Sequence, residues 1–434
     1  MKKNIVFAFV AALVMAACSN QETIETAPAV PTAKIAQSNT RSYDEALKIA
    51  ENAIDMLEDS KSTTRSGESC RKIDLSENKV IMRDAKTRGE SDGSDSLIYV
   101  FNFENNEGFA LVSASKLTEP LLAITEKGHY SPDTPTAIEG FEDFVNNAKD
   151  FVEKSYLRGG NDTIAIIIDE EEYVYSDKQY KGPYIPVQWG QNYPEGELYS
   201  NTTCGCGPTV MAQIMTYYKY PTSMILQYEE DYNENQSFNW NAMISHNCGH
   251  ELSQCAISNY SIHQSISRLC RNLGELSGSY ISGPNTTSTP TSGIKSCMEQ
   301  FFTTSNWTSF SSVNITGNIN SHKLMVVNGN RWNSNHQKSG HVWALDGYMK
   351  VMCTSYLYGH YEGHLERILL DSYGPYPVYY YHYNWGWYGQ CNGYFLDGVY
   401  NTKNAEEYDS GAAPSASDEE RNYNMDLQIL TVYR

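Results

Sequence analysis

Thr202–Pro221 reads TTCGCGPTVMAQIMTYYKYP: two cysteines one residue apart, a glycine and a proline, then a run rich in apolar residues. The spacing predicts a helix over Cys206–Tyr218. Pro208 falls in the first turn, where its missing N–H costs nothing, and Val210, Met211, Ile214, Met215 and Tyr218 make one apolar stripe. A helix N-terminus offers unpaired N–H groups and the positive end of its dipole, and both stabilise a thiolate. Cys206 stands at that end and Cys204 two residues outside it, so helical geometry selects Cys206 as the candidate nucleophile. Gly205 and Gly207 would leave its flanks bare for a close-lying substrate backbone.

A thiolate nucleophile needs an imidazole to form an ion pair and then to protonate the leaving amine. His341, in SGHVWALDGY, opens an apolar strand that would hold its ring rigidly. A third group must orient that ring. Asn384 and Trp385, in HYNWGWYGQCNGYF, offer an amide oxygen to accept from the imidazole and an indole to shield the bond from water.

The chain has 434 residues, enough for two or three domains, and its 40% hydrophobic content supports packed cores. A net charge of -20 would be repelled by phosphate backbones, which argues against a nucleic-acid partner. At the N-terminus, Lys2 and Lys3 precede an apolar run too short to cross a bilayer, and Met15-Ala16-Ala17-Cys18 has the small residues of a lipobox. Residues 1–17 are therefore expected to be a signal peptide. Cys18 would be the lipidation site of a cell-envelope lipoprotein, in the periplasm or outer membrane, and 18–40 a tether. Of ten cysteines, a lipidated Cys18 leaves nine, so at least one thiol stays unpaired. Cys270 reads as a small core residue.

Ser42-Tyr43-Asp44-Glu45 is a capping box opening a helix, residues 97–103 and 108–114 alternate as strands, and 138–157 looks helical. Residues 178–182 turn polar and Pro183 and Pro186 break regular structure, so a boundary is expected there, with one domain over 41–181 and another over 182–434. The second begins with helices, including one from Ser261 that stops at Gly274, and ends in short strands, an α+β layout.

Four stretches give this second domain a resemblance to the streptopain family of papain-like cysteine peptidases: VQWGQNYP (187–194), GCGPTVMAQIMTYYKYP (205–221), GHVWALDGY (340–348) and YHYNWGWYGQCNGYF (381–395). Counting back seven from Gln213 also lands on Cys206. The resemblance implies a papain-like α+β fold and a secreted cysteine endopeptidase that needs no cofactor. Gln191 would help form the oxyanion hole, and substrates would be proteins or peptides with an apolar residue two positions before the scissile bond. Upstream, FNFENNEGFALVSASKLTEPLLAITEKGHY (101–130) is similar to the family's α+β inhibitory prodomain, which blocks the cleft until proteolysis removes it. Lys178 and Lys181 lie where that cut would fall, and the cut would part the mature domain from a membrane anchor on Cys18. Two departures stand out: Gly207-Pro208 after the nucleophile, and Glu195 where the family pattern carries an aromatic.

Other clusters carry less. His360, Glu362 and His364 lack the helical spacing of a zinc site, and His246, Cys248, His250 and Cys255 read as a loop with a disulfide or exposed side chains. Asp169–Glu172 reads as a solvated face. The alternative to an enzyme is a catalytically inactive surface lipoprotein that grips peptide or glycan with its aromatic strands, and such a binder has no need of Cys206, His341, Asn384 and Gln191 together.

Overall fold

A computed structural model describes residues 40–61, 71–83, 95–134, 136–158, 166–192, 194–226, 235–246, 260–332, 338–361, 368–399 and 427–434. The capping box forms reciprocally: Ser42 N–H donates to Glu45 Oε2 at 2.6 Å and Glu45 N–H to Ser42 Oγ at 3.2 Å. It starts α1 (Tyr43–Lys61), which buries Ala46, Ala50, Ala53, Ile54 and Leu57. Strands β1 (Lys79–Met82), β2 (Ser96–Asn102), β3 (Phe109–Ser113) and β4 (Leu121–Thr125) follow as an antiparallel meander, then α2 (Glu139–Arg158). Strand β5 (Ile166–Lys181) leads out of this region.

The helical region comes next. Helices α3 (Cys206–Tyr218), α4 (Trp240–Ser245), α5 (Tyr260–Ser277) and α6 (Thr291–Met298) are interleaved with two small hairpins. One pairs β6 (Ser223–Ile225) with β7 (Asn235–Ser237), the other β8 (Tyr280–Gly283) with β9 (Thr286–Ser288). Short strands β10 (Thr303–Thr304) and β11 (Thr308–Ser309) and helix α7 (Ser312–Asn320) lead to β12 (Leu324–Trp332), β13 (Lys338–Tyr361), β14 (Ile368–Asn384), β15 (Gly393–Leu396) and β16 (Gln428–Tyr433).

One twelve-stranded sheet runs through both regions in the order β1-β2-β3-β4-β15-β14-β13-β12-β16-β10, with β11 on β16 and β5 on β13. The junction is β4 against β15, where Thr125 pairs with Gly393, Ile124 with Tyr394 and Ala123 with Phe395. Side chains alternate across a strand, so β12 and β13 serve two cores. Leu324, Val326, Val342 and Ala344 face α3, α5 and α6, while Met325, Val327, Trp343 and Leu345 join the core built with α1, α2 and β1–β4.

The structure corrects two readings of the sequence and adds a third detail. Helix α3 is buried on nearly every side from Gly207 to Thr216, not along one stripe, because it runs through the centre of its core. Gly274 does not end α5: the helix continues to Ser277, and the glycine makes room for the Tyr199 phenol, which donates to Cys270 O at 3.1 Å. The stretch up to Lys181 is strand to its last residue, paired to Tyr348, and Gly182 lies against the Asp346 carbonyl at a φ of +76°. The polar side chains of β5 fit an edge strand as well as a loop.

Candidate active site

Cys206 is the first residue of α3, preceded by Gly205 at φ 79°. A side chain at Gly205 would strike the Thr287 carbonyl, and one at Gly207 would come within 2.6 Å of Thr289 Cβ. Both glycines are thus filled in by the β8–β9 hairpin and its following residue, not left open beside Cys206 as the sequence suggested. Cys204 is fully buried, its sulfur 3.2 Å from Thr209 Oγ1. No disulfide joins it to Cys206; among the described residues Cys204, Cys206, Cys270, Cys297 and Cys391 are free thiols.

The helix N-terminus does not by itself make a thiolate here. Burial pushes the Cys206 thiol up to about 11, helped by the Glu139 carboxylate and opposed by a backbone hydrogen bond from Val342. His341 moves the other way: burial lowers its imidazole to about 4, against a hydrogen bond to the backbone of Trp385. The ring is 5% exposed and its Nε2 is buried with no hydrogen-bond partner, so no bond reaches that atom from the Cys206 sulfur. Both groups are therefore neutral at pH 7, the opposite of a thiolate–imidazolium pair.

Helix α2 contributes to both effects. Gly140, its second residue, sits so close to the site that a Cβ there would stand 2.6 Å from Trp385 Cζ3 and 2.8 Å from both Trp385 Cε3 and His341 Cδ2. Glu139, beside it, is the carboxylate that raises the Cys206 thiol. The upstream segment thus plugs the site with backbone and adds a negative charge where a thiolate would have to form.

Asn384 is buried, but its amide is committed elsewhere. Its Oδ1 accepts from Gln213 Nε2 at 3.0 Å and Gly386 N–H at 3.2 Å, and its Nδ2 donates to Val187 O at 3.1 Å. The His341 ring donates its hydrogen bond instead to the backbone of the next residue, Trp385. Trp385 is fully buried, donating from Nε1 to Cys391 O at 2.9 Å and packing 4.9 Å from Trp343. Trp343 stacks on His341 with centroids 6.0 Å apart. Sequence reasoning missed this second indole, although it lies two residues along an alternating strand and so on the same face. Gln191 is buried in the loop beside α3, and its carbonyl accepts from Cys204 N–H at 2.8 Å.

A second buried cluster was not anticipated. His382 Nδ1 lies 2.6 Å from Asp346 Oδ1 and its Nε2 lies 3.8 Å from Glu126 Oε2. Burial alone would lower its pKa, but the two carboxylates override this and hold it up at about 10, so the ring is cationic at neutral pH. Asp346 Oδ2 also accepts from Ile185 N–H at 2.8 Å. The imidazolium thereby ties Glu126, just after β4, to the strand pair and to the chain that follows Lys181. Cys18, Cys248, His250, Cys255, Glu362 and His364 lie outside the described residues.

Residues 185–395 match the Peptidase C10 family, and residues 33–152 match the Spi protease inhibitor. No curated protein matches the chain. Among solved structures, a fragment of Prevotella intermedia prointerpain A, in a cysteine-to-alanine mutant, is similar with 15% identity and a TM-score of 0.46, over 82% of this chain and 98% of that one. Active wild-type interpain A cysteine protease from the same organism is similar with 15% identity and a TM-score of 0.36, over 58% of this chain and 94% of that one. On the two family matches, the chain carries a peptidase C10, or streptopain-family, domain behind a Spi-type inhibitor prodomain: a cysteine peptidase made as a zymogen.

Proposed function

We propose that Cys206 and His341 are the catalytic pair of this peptidase and that the structure described above is its latent form. The observation that carries the reading is Gly140, packed against His341 and Trp385 while Cys206 and His341 are both neutral. Once α2 withdraws, the ring is free to turn to the sulfur, and loss of Glu139 removes a charge that opposes the thiolate. The Cys206 thiolate then attacks the peptide carbonyl. The Gln191 amide and the Cys206 N–H hold the oxyanion. His341 protonates the leaving amine, and afterwards takes a proton from the water that hydrolyses the thioester. Trp343 and Trp385 keep water from the ring, and Asn384 acts through Gln213 and the Trp385 turn, fixing the strand end that carries the partner of His341.

The substrates are proteins cut internally, with an apolar residue two positions before the scissile bond. The enzyme is exported, anchored through a lipid on Cys18, and freed when the chain is cut near Lys181. The test uses the chain from Ser19 onward, as wild type and Cys206→Ala, followed by intact mass under reducing conditions and by casein hydrolysis after a trace of trypsin. Activity in the wild type only is expected. Equal activity in both would move the nucleophile away from Cys206. For export, metabolic labelling with palmitate should mark the wild type and not Cys18→Ser; label in neither would remove the anchor.

A further inference from the structure

The loop that carries Gln191 is held by a group the reaction itself does not use. Glu195 is 1% exposed. Its Oε1 accepts from Gly190 N–H at 3.2 Å, while Oε2 is buried without a hydrogen-bond partner in its own right, with the Tyr388 phenol against the carboxyl. Tyr388 closes the other side: its oxygen accepts from Asn192 N–H at 2.9 Å, and its ring occupies the space a side chain at Gly190 would need. Thr209 Oγ1 donates to Gly190 O at 3.0 Å, Cys204 N–H donates to Gln191 O at 2.8 Å, and Gln213 Nε2 donates to Trp189 O at 2.8 Å. The backbone on both sides of Gln191 is thus tied down, by α3 on one side and by Glu195 with Tyr388 on the other.

We infer that Glu195 is a positioning residue for peptide hydrolysis: its buried carboxyl group and the Tyr388 ring together fix the Gly190–Gln191–Asn192 turn, and with it the Gln191 amide at the oxyanion. This rests on the oxyanion role given to Gln191 above. The titratable groups facing the carboxyl are the Tyr388 phenol and the Cys270 thiol, with the Cys204 thiol next to Tyr388; none of them is a cation. With no positive partner, burial holds the carboxyl neutral, its pKa pushed up to about 8. A neutral carboxyl has its own O–H to donate and leaves one oxygen to accept from Gly190. Above pH 8 the group would carry a buried charge, and the turn would have to open to hydrate it.

The experiment measures kcat and KM between pH 6 and 10 on full-length chain activated by proteolysis, for wild type, Glu195→Gln, Glu195→Ala, Gln191→Ala and the Glu195→Ala/Gln191→Ala pair. Gln191→Ala should lower kcat about 100-fold or more, the loss typical of one oxyanion donor. Glu195→Ala should lower kcat at pH 7 about 10-fold with little change in KM. It should cost less than about 3-fold once Gln191 is already gone, because the two act as a unit. Glu195→Gln should stay within about 3-fold of wild type at pH 7 and should lack the decline of kcat near pH 8 that the wild type shows. A wild-type alkaline limb unchanged in Glu195→Gln, or a Glu195→Ala loss as large without Gln191 as with it, would overturn the inference while leaving Gln191 in place. Normal kcat in Gln191→Ala would overturn the oxyanion reading itself, and this inference with it. Glu195→Gln is nearly isosteric, so its pH profile stays decisive even if the alanine variant folds poorly.

Discussion

Replacing Gly140 by alanine adds one methyl group to the inhibitor segment at its contact with His341. That carbon would meet Trp385 at 2.6 and 2.8 Å and His341 at 2.8 Å. Carbon atoms pack at about 3.5–4.0 Å, so the helix or the rings must give by about 1 Å. Trp385 has little freedom, since its Nε1 donates to Cys391 O at 2.9 Å, its backbone N–H donates to Asn392 Oδ1 at 3.0 Å, and Trp343 and Phe395 enclose it. Over-packing of this kind costs about 1–3 kcal/mol. Alanine recovers at most about 0.5–1 kcal/mol of helix preference, and less at the second residue of a helix. The latent state should therefore lose about 1–2 kcal/mol against any state in which α2 has lifted, a factor of about 5–30 in population. The assay is the rate at which an epoxysuccinyl inhibitor modifies Cys206 in uncut chain at pH 7, with Cys206→Ala as the blank. Modification should be about 5–30-fold faster in Gly140→Ala by the same conversion. An unchanged or slower rate, in a variant that melts normally, would mean that α2 does not hold the site shut at this point.

The neutral state of the pair sets a pH dependence for the uncut chain. With the Cys206 thiol at about 11, alkylation should rise about tenfold per pH unit from pH 8 towards 11, whereas the cut enzyme should reach its plateau below pH 8; a plateau below pH 9 in uncut chain would contradict the latent assignment. Glu126→Gln should destabilise uncut chain by about 1–3 kcal/mol at pH 6, because it takes one carboxylate from a buried imidazolium. His382 has a raised pKa, so its contribution is complete below about pH 6.5 and is lost as pH rises through about 10; urea unfolding should show the gap between wild type and Glu126→Gln closing over that window, and a gap constant to pH 10.5 would argue against the charge. Glu195 is an acid with a raised pKa, about 8, so the folded chain holds its proton while the unfolded chain loses it. Wild-type stability should fall relative to Glu195→Gln as pH rises from about 4.5 to 8, by up to a few kcal/mol, and the difference should then level off; parallel curves over that range would place the carboxylate in water.

Much of this site is written in local pattern. Pro208 in a first turn, with apolar residues at helical spacing behind it, puts the start of α3 at Cys206, and Ser42 with Glu45 marks α1 in the same way. These signals depend on neighbours within one or two turns. What escaped the sequence depends on partners far along the chain. Gly140 is one small residue in an ordinary amphipathic helix until the fold sets it against residues some two hundred positions later. Gly274 looks like a stop signal because nothing nearby announces Tyr199. Residues 178–182 read as a polar boundary, and only pairing with β13 carries the strand on to Lys181. Asn384 was read as a partner for His341 because it has the right chemistry; the fold spends that amide on Gln213, Val187 and Gly386.

The ladder between β4 and β15 carries one more consequence. A cut near Lys181 removes a covalent bond and nothing else: the β4–β15 ladder, the longer pairing of β5 with β13, a shared core and the His382–Glu126 contact still hold the severed piece. Turning on would then be a question of volume as much as of proteolysis. Two halves that part by dissociation rebind where the protein is concentrated and drift apart where it is dilute, so the same nicked molecule would be silent in the first setting and active in the second. The onset of activity would follow dilution with a lag, and native mass spectrometry of nicked protein at two concentrations would register it as a shift from paired to single species. Pairing that persists equally at both would make the cut piece a permanent subunit instead.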